Sequence, residues 1–292
     1  MNKKDPSDIR FVFFGTGEIA RYALEEIRAA GFVPQLIVTE PDAKRGRGLK
    51  TSSSPVKAWA ASQDIETLQP EALRPDVLEK VRALEPDLAV VVDYGTFLPK
   101  VLLETPRRGC LNMHPSLLPR LRGPSPIRSA ILNDERTTGV SVILLDEEVD
   151  HGPLVAQKPL SIAQWPPRGK ALDEALAREG GKLLAFVIPQ WIAGEIEARA
   201  QNHDVATYST KFTKEDGLLD LSGDAYQNLL KIRAFEGWPG TYTFFGRGGK
   251  KLRVQILDAR MSDKKLIIDT VKPEGKREMG YEEFLRSGAQ PL

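Results

Sequence analysis

The chain has few of the residues that build disulfide frameworks and metal sites. It has one cysteine, Cys110, among 292 residues, which excludes an intramolecular disulfide and a zinc ribbon. Its three histidines, His114, His151 and His203, leave little for a histidine-rich site, so we expect no bound metal. The core must therefore be held by hydrophobic packing, which a chain of this length can supply.

Long apolar runs and an excess of one charge are also missing. The apolar run at residues 11–14 stops at Gly15, and no stretch approaches the ~20 apolar residues that span a bilayer. We therefore expect a cytoplasmic protein without membrane contact. The 41 basic and 40 acidic residues leave a formal charge of +1, which excludes a general nucleic-acid coat but not local basic patches.

Strand-like and helix-like segments alternate over roughly the first 190 residues. Such alternation is typical of an α/β domain with a Rossmann-like, mostly parallel sheet covered on both faces. The pattern predicts a long helix over residues 171–192 that is interrupted at Gly180-Gly181. The predicted strands are residues 9–14, 33–39, 88–92, 111–113 and 140–144. The other predicted helices are residues 18–30 and 75–84.

The pattern changes from about residue 195 onward. Residues 195–207 lack a sustained apolar period and are predicted to be a linker. A helix over residues 224–235 and short strands over 241–245, 251–257 and 266–271 indicate a small β-barrel-like domain of the OB type. The predicted organisation is a catalytic domain over residues 1–194, a linker over 195–207 and a second domain over 208–292.

A glycine-rich turn follows the first predicted strand. Gly15-x-Gly17-x-x-Ala20 lies between a strand and a helix, and Glu40 closes the next strand. This spacing fits a dinucleotide-binding fingerprint, and it also fits an ordinary tight strand-to-helix turn.

A second group of polar residues surrounds Asn112-x-His114. The two residues are two positions apart at the end of a predicted strand, so their side chains point to the same face. Ligands bind at this end of the strands in open α/β sheets. By itself such a pair is more often structural than catalytic. Asp150 lies in an acidic loop before a tight turn. If it reaches His114, an amide, an imidazole and a carboxylate surround one cleft.

These motifs together resemble the folate-dependent formyltransferase family. The central resemblance is Asn112-x-His114 with Ser116-Leu117-Leu118-Pro119, followed by Arg122-Gly123 and by Asp150 before Gly152. The opening turn is similar to that of the family, which normally has Pro where this chain has Gly17. Residues 40–57 resemble a loop inserted by the tRNA-acting members, and residues 208–240 resemble the C-terminal domain of those members.

The resemblance implies an enzyme of translation initiation. It would act as a monomer and transfer a formyl group from 10-formyltetrahydrofolate to the amino group of methionine on initiator tRNA. Asn112, His114 and Asp150 would be catalytic, and the opening turn would not bind NAD. The implied folate-binding residues are Val91, Val92, Asp93, Tyr94, Gly95, Leu98, Pro115, Ser116 and Leu117.

Two local basic stretches are candidates for tRNA binding. Residues 44–57 hold five bases and no acid, and residues 247–265 hold seven bases and two acids. The near-neutral total is thus an average over two basic stretches and an acidic remainder. The predicted tRNA-binding residues are Lys44, Arg45, Arg47, Lys50, Arg247, Lys250, Lys251 and Arg253.

The chain departs from the family pattern at two further places. Asp93 stands where a small residue, usually Ala, is expected, and the segment between Leu257 and Lys272 is shorter by roughly two strands. Alternatives within the family are a formyltetrahydrofolate hydrolase and a formyltransferase acting on a sugar nucleotide or a purine precursor. A different class is a noncatalytic tRNA-binding protein, against which the intact Asn112, His114 and Asp150 argue.

Overall fold

A computed structural model describes residues 5–45 and 50–292 of the chain. The chain forms two compact units. The first comprises Met1–Gly123, Thr138–Ser161 and Asp173–Tyr208, and the second comprises Pro124–Thr137, Ile162–Leu172 and Ser209–Leu292. The second unit thus includes two short segments that precede residue 195 in the chain. The boundaries predicted for the functional domains stay a prediction.

The first unit contains a seven-stranded, mostly parallel sheet, as predicted. Its order is β5-β2-β1-β6-β7-β8-β9. The first five strands in this order are parallel, β8 is antiparallel to β7, and β9 is antiparallel to β8. A separate two-stranded hairpin pairs β3 with β4. The strands are β1 (Phe11–Gly15), β2 (Leu36–Val38), β3 (Ala43–Arg45), β4 (Lys50–Ser52), β5 (Thr67–Leu68), β6 (Leu88–Val92), β7 (Cys110–His114), β8 (Thr138–Leu144) and β9 (Leu154–Leu160).

The central strands are buried along their whole length. Every residue of β1 and of β6 is buried, which explains why both are continuous apolar runs rather than alternating patterns. None of the helices in the described part of the chain is long and apolar enough to cross a membrane. The helices are α1 (Glu18–Ala29), α2 (Pro55–Ser62), α3 (Pro75–Ala83), α4 (Lys100–Leu103), α5 (Pro126–Leu132), α6 (Gly169–Ala193), α7 (Ala225–Ala234) and α8 (Tyr281–Leu285).

The prediction that Gly180-Gly181 interrupts the long helix is wrong, because α6 runs through both glycines. Both are sites of close approach. A Cβ at Gly180 would lie 2.6 Å from Sδ of Met113 in β7, and one at Gly181 would lie 2.6 Å from the carbonyl oxygen of Ala23 in α1. The glycines therefore let α6 pack tightly on its neighbours, and this packing compensates for their weak helix propensity.

The second unit is built on a five-stranded antiparallel sheet of order β13-β12-β11-β10-β14, as expected for the C-terminal domain. Its strands are β10 (Thr241–Arg247), β11 (Lys250–Ser262), β12 (Lys265–Pro273), β13 (Met279–Gly280) and β14 (Gln290–Pro291). Phe245 and Phe284 are buried in its core, with ring centroids 5.0 Å apart.

The segment between Leu257 and Lys272, which is shorter than the family pattern predicts, contains a tight hairpin turn. β11 and β12 are longer than the predicted strands and are joined directly through Asp263 and Lys264, whose φ angles are +49° and +62°. Positive φ at both central residues is typical of a two-residue hairpin turn. The chain thus turns back at once between β11 and β12.

Candidate active site

Strand β7 positions the two polar residues that the sequence singled out. It pairs in parallel with β6, with Asn112 opposite Val91, and antiparallel with β8, with His114 opposite Ser141. The His114 side chain is 5% exposed and Asn112 is half-buried. The pair lies at the carboxyl end of a strand in the parallel part of the sheet, the edge where α/β proteins bind ligands.

Both ring nitrogens of His114 face oxygen atoms. Nε2 lies 2.9 Å from the carbonyl oxygen of Leu121, and Nδ1 lies 3.5 Å from Oδ1 of Asp150. A carbonyl oxygen can only accept, so Nε2 carries a hydrogen. The Leu121 carbonyl thus lies on the Nε2 side of the ring, and the Asp150 carboxylate lies on the Nδ1 side.

Asp150 does point inward, as the catalytic prediction requires. Its φ of +48° lies in the left-handed region, which Asp tolerates better than most residues. One carboxylate oxygen faces His114, and the other accepts a hydrogen bond of 2.7 Å from the backbone N–H of Gly123. The structure thus brings His114, Asp150 and the Arg122-Gly123 motif together.

The Asn112 side chain is placed to bind a ligand. Within the described residues its carboxamide makes no hydrogen bond. It therefore keeps two N–H donors and a carbonyl acceptor for a bound molecule. Directed at a carbonyl carbon under attack, such donors stabilise the oxyanion that forms.

The segment after His114 is fastened by buried serines. The Ser116 hydroxyl donates to the carbonyl oxygen of Arg120 at 2.6 Å, and the Ser141 hydroxyl donates to that of Ser116 at 2.6 Å. Ser116 is 2% exposed, and its hydroxyl closes the turn. The folate contacts predicted for Pro115, Ser116 and Leu117 stay a prediction.

At the end of β6, only the backbone is available for the predicted binding of folate. Val91 is 6% exposed and Val92 is fully buried. Their side chains belong to the core of the sheet, so these two positions can offer a ligand only peptide groups.

Asp93, which follows β6, fills the room left by Gly17. Its φ is +49°, and its backbone carbonyl accepts a hydrogen bond of 3.1 Å from the N–H of Thr16. The carboxylate accepts the N–H of Gly17, and a Cβ added at Gly17 would overlap Oδ2 and lie 3.2 Å from Cγ. The two departures from the family pattern, at Gly17 and Asp93, therefore compensate for each other.

The surroundings of Asp93 favour its neutral form. Removal from bulk water by the surrounding protein, with the negative charges of Asp173 and Glu40, raises the pKa of Asp93 to about 7, against the opposing effect of the Gly17 N–H. Asp93 as a whole residue is exposed, so the removal from water concerns its carboxyl group, which faces the N–H of Gly17. The carboxylate occupies the helix N-terminus where a dinucleotide phosphate would bind, so the glycine turn disfavours NAD.

The loop after Asp93 is packed against β1 and Glu40. The Tyr94 ring lies edge-on to Phe14 with centroids 5.6 Å apart, and burial and the charge of Glu40 raise the pKa of Tyr94. A Cβ at Gly95 would lie 2.7 Å from Oε1 of Glu40. Glu40, the acidic residue of the supposed fingerprint, therefore supports this loop.

Other reactive groups do not form a second centre. Burial raises the pKa of the Cys110 thiol to about 12, so this cysteine is an inert core residue. In residues 5–45 and 50–292, no group of three or more His, Cys, Asp and Glu side chains is arranged to hold a metal ion.

Comparison with known proteins agrees with this geometry. Residues 9–188 match the family model described as formyl transferase, and residues 211–265 match the model of the formyl transferase C-terminal domain. The chain belongs to the formyl transferase family.

Relatives in this formyl transferase family span most of the chain. It is 41% identical to a methionyl-tRNA formyltransferase of Chloroflexus aggregans over 84% of this chain and 79% of that one. It is 36% identical to a methionyl-tRNA formyltransferase of Myxococcus xanthus over 97% and 98% of the two chains. A Helicobacter canadensis N-formyltransferase, solved with folinic acid and dTDP-3-aminofucose, shares the fold at a TM-score of 0.63 and 19% identity, covering 87% and 88% of the chains.

In this formyl transferase, the first basic stretch is only partly described. Arg47 lies outside the described residues. Lys44, Arg45 and Lys50 belong to the β3–β4 hairpin, of which only the backbone is described. Lys57 pairs with Asp42 at 2.8 Å. One of the five positive charges counted in this stretch is therefore neutralised by an acidic residue just before it.

Two residues of the second basic stretch, Lys251 and Arg253, lie over aromatic rings of the β10–β11 hairpin. The guanidinium of Arg253 lies 3.7 Å from the ring centroid of Tyr242, and Nζ of Lys251 lies 4.1 Å from that of Phe244. Of the other predicted residues, Arg247 and Lys250 pair across the turn. The structure thus interleaves cations with aromatic rings, a combination that suits nucleic acids.

Sequence reasoning missed two kinds of site residue. Tyr242 and Phe244 alternate along β10 as Lys251 and Arg253 do along β11, and this shared period of two was a usable signal. Gln201 and Thr207 contact the Asp150 and Leu121 loops from the predicted linker. No local pattern marks them, because their partners are distant in sequence.

Proposed function

We propose that the protein transfers the formyl group of 10-formyltetrahydrofolate to the amino group of methionine esterified to initiator tRNA. The observation that carries the proposal is the contact of the buried His114 with the partly buried Asp150, beside the uncommitted carboxamide of Asn112. The family and the substrate in the names of the two relatives support it. Because initiator tRNA is used in the cytoplasm, we place the reaction there. We also expect the protein to act as a monomer.

Asn112 would stabilise the charge that develops during acyl transfer. When the neutral amine attacks the formyl carbon, the formyl oxygen becomes negative. A fixed donor at such an oxygen lowers the barrier by about 3–4 kcal/mol. The half-buried carboxamide has two N–H groups to offer and no competing partner among the described residues.

Asp150 and His114 would move the proton. A new bond joins the methionyl nitrogen to the formyl carbon, the bond from that carbon to the folate nitrogen breaks, and one proton passes from the first nitrogen to the second. The Asp150 carboxylate is the acceptor, directly or through water. His114 donates to the Leu121 carbonyl through Nε2, and its Nδ1 lies 3.5 Å from the Asp150 carboxylate.

The loop from Asp93 to Leu98 fits a flat, partly polar co-substrate. Tyr94 and Leu98 pack on the apolar core below, which leaves the peptide groups of the loop to bond a pterin ring. Phe97 is 72% exposed and offers apolar surface at the rim.

The tRNA would be held electrostatically by the two basic stretches. The face around Arg253 and Lys251 presents positive charge with aromatic rings, and Arg47 would contact the acceptor end of the tRNA. Binding of this kind weakens steeply as salt concentration rises. Arg47→Ala should accordingly lower tRNA-dependent activity, measured as kcat/KM for methionyl-tRNA.

The decisive experiment supplies labelled 10-formyltetrahydrofolate with different acceptors. Parallel reactions contain charged initiator methionyl-tRNA, uncharged tRNA, a dTDP-amino sugar, or water alone. We expect label only on charged tRNA. Label in free formate at the same rate without an acceptor would identify a hydrolase, and label on the sugar nucleotide would refute the tRNA assignment.

A further inference from the structure

Gln201 lies between the Asp150 loop and Arg122. Its side-chain N–H groups donate to the carbonyl oxygens of Asp150 at 2.8 Å and Gly152 at 2.7 Å. Its oxygen accepts from Nε and an Nη of Arg122 at 3.2 and 2.7 Å. Gln201 is 4% exposed, so this bridge is buried and every hydrogen-bonding group of the carboxamide is used.

Thr207 fastens the other loop that faces His114. Its hydroxyl oxygen accepts from the N–H of Leu121 at 2.9 Å, and its carbonyl accepts from the N–H of Arg122 at 2.9 Å. Its own N–H donates to the carbonyl of Pro119 at 3.2 Å. Leu121 is the residue whose carbonyl oxygen accepts from Nε2 of His114. Thr207 therefore holds the hydrogen-bond acceptor of the catalytic imidazole.

The two loops need this support because each contains an unfavourable backbone conformation. The φ angles are +48° at Asp150 and +56° at Leu121. A residue with a branched side chain such as leucine rarely adopts this region, and such conformations persist where surrounding contacts enforce them. The enforcing contacts come from one short segment, residues 199–208, which we call the strap.

We propose that Gln201 and Thr207 are positioning residues for formyl transfer. Through Asp150 and Leu121 they set the distance and angle of the two oxygen atoms that flank His114. The strap is thus part of the catalytic unit rather than a passive connection between domains. The proposal rests on the proposed function, because the rate it refers to is that of formyl transfer.

The test compares substitutions that remove single hydrogen bonds. Thr207→Val keeps the shape and the backbone bonds but lacks the acceptor for Leu121, and Thr207→Ser restores it. Thr207 is exposed, so neither change disturbs the core. Gln201→Met removes the bridge with little change in volume. Gln190→Ala is the matched control, because Gln190 also donates to a backbone carbonyl, that of Phe186 at 2.7 Å, away from both loops.

Two readouts separate positioning from general stability. The first is kcat and the KM for the formyl donor. We expect kcat to fall about tenfold to a hundredfold in Thr207→Val and Gln201→Met, with KM nearly unchanged and activity recovered in Thr207→Ser. The second is the side-chain NMR spectrum of the three histidines in the absence of substrate, in which the His114 signals should shift in the two impaired variants and not in Gln190→Ala.

Several results would overturn the proposal. These are an unchanged kcat in both variants, an equal loss in Thr207→Val and Thr207→Ser, or His114 signals that match wild type. If the wild-type protein formylates no methionyl-tRNA, the proposed function fails. The His114 spectrum then decides alone for or against positioning by the strap.

Discussion

The contact between Asp93 and Gly17 predicts a strong coupling between two positions far apart in sequence. The φ and ψ of Gly17 are −83° and −172°, an extended conformation that any residue adopts, so alanine introduces no backbone strain there. The added methyl group would instead overlap the Asp93 carboxylate. Gly17→Ala must therefore push the carboxylate away from the N-terminus of α1.

The magnitude follows from what the displaced carboxylate loses. A side-chain oxygen bonded to an N–H group at the N-terminus of a helix contributes about 0.5–2 kcal/mol. We expect Gly17→Ala to lower the free energy of unfolding by about 1–2 kcal/mol, a decrease in Tm of about 2–4 °C per kcal/mol. In an Asp93→Ala background the same change should have a much smaller effect, because nothing remains to be displaced.

The assay is a double-mutant cycle of thermal or urea unfolding on wild type, Gly17→Ala, Asp93→Ala and the double variant. A coupling free energy near 1 kcal/mol or more is expected for groups in direct contact. A second double variant, Gly17→Pro with Asp93→Ala, restores the residues typical of the family and should fold, whereas Gly17→Pro alone should be impaired. Additive effects within about 0.3 kcal/mol would refute the reasoning.

Four further predictions concern pH, catalysis, tRNA and packing. The pKa of Asp93 is raised from 3.8 to about 7, so between these pH values the folded state keeps a proton that the unfolded state has lost. The Tm of the wild type relative to that of Asp93→Asn should therefore fall as pH rises from 4 to 7 and stay constant above pH 7. A Tm difference that does not change with pH would contradict this. Asp150→Asn, which suits a positive φ, should fold normally and lower kcat by about 10²–10⁴-fold with little change in the KM for the formyl donor. Arg253→Ala should weaken methionyl-tRNA binding and reduce the slope of log affinity against log salt by about one, measured by filter binding at several salt concentrations. Gly181→Ala should lower the free energy of unfolding by about 1–3 kcal/mol in spite of its better helix propensity, because the methyl group meets the Ala23 backbone.

Much of the first unit could be predicted from local pattern. The apolar runs of β1 and β6 and the amphipathic period of α1, which ends before Gly31 with φ of +93°, were each sufficient to predict an element. Burial of a strand on both faces, or of a helix along one stripe, produces an apolar pattern that is visible within a few consecutive residues. The β9 strand was missed, since most of it is exposed or half-buried and its sequence lacks a continuous apolar run.

Gly180-Gly181 shows where local pattern misleads. Propensity predicts a break at paired glycines, and the structure has a continuous helix. The reason lies in Met113 and Ala23, which approach the helix so closely that no side chain fits. A propensity scale contains no term for such a neighbour.

The sequence by itself determined the buried strands and the amphipathic helices, and which side chains are chemically suited to the reaction, because those properties depend on residue type and short-range period. It indicated Asn112, His114 and Asp150, and it left open whether Asp150 reaches His114. Only the tertiary structure decided that contact, the filling of the space at Gly17 by Asp93, and the attachment of the Asp150 and Leu121 loops to Gln201 and Thr207. These contacts join residues far apart in the chain, and their geometry exists only once the sheet and its loops have packed.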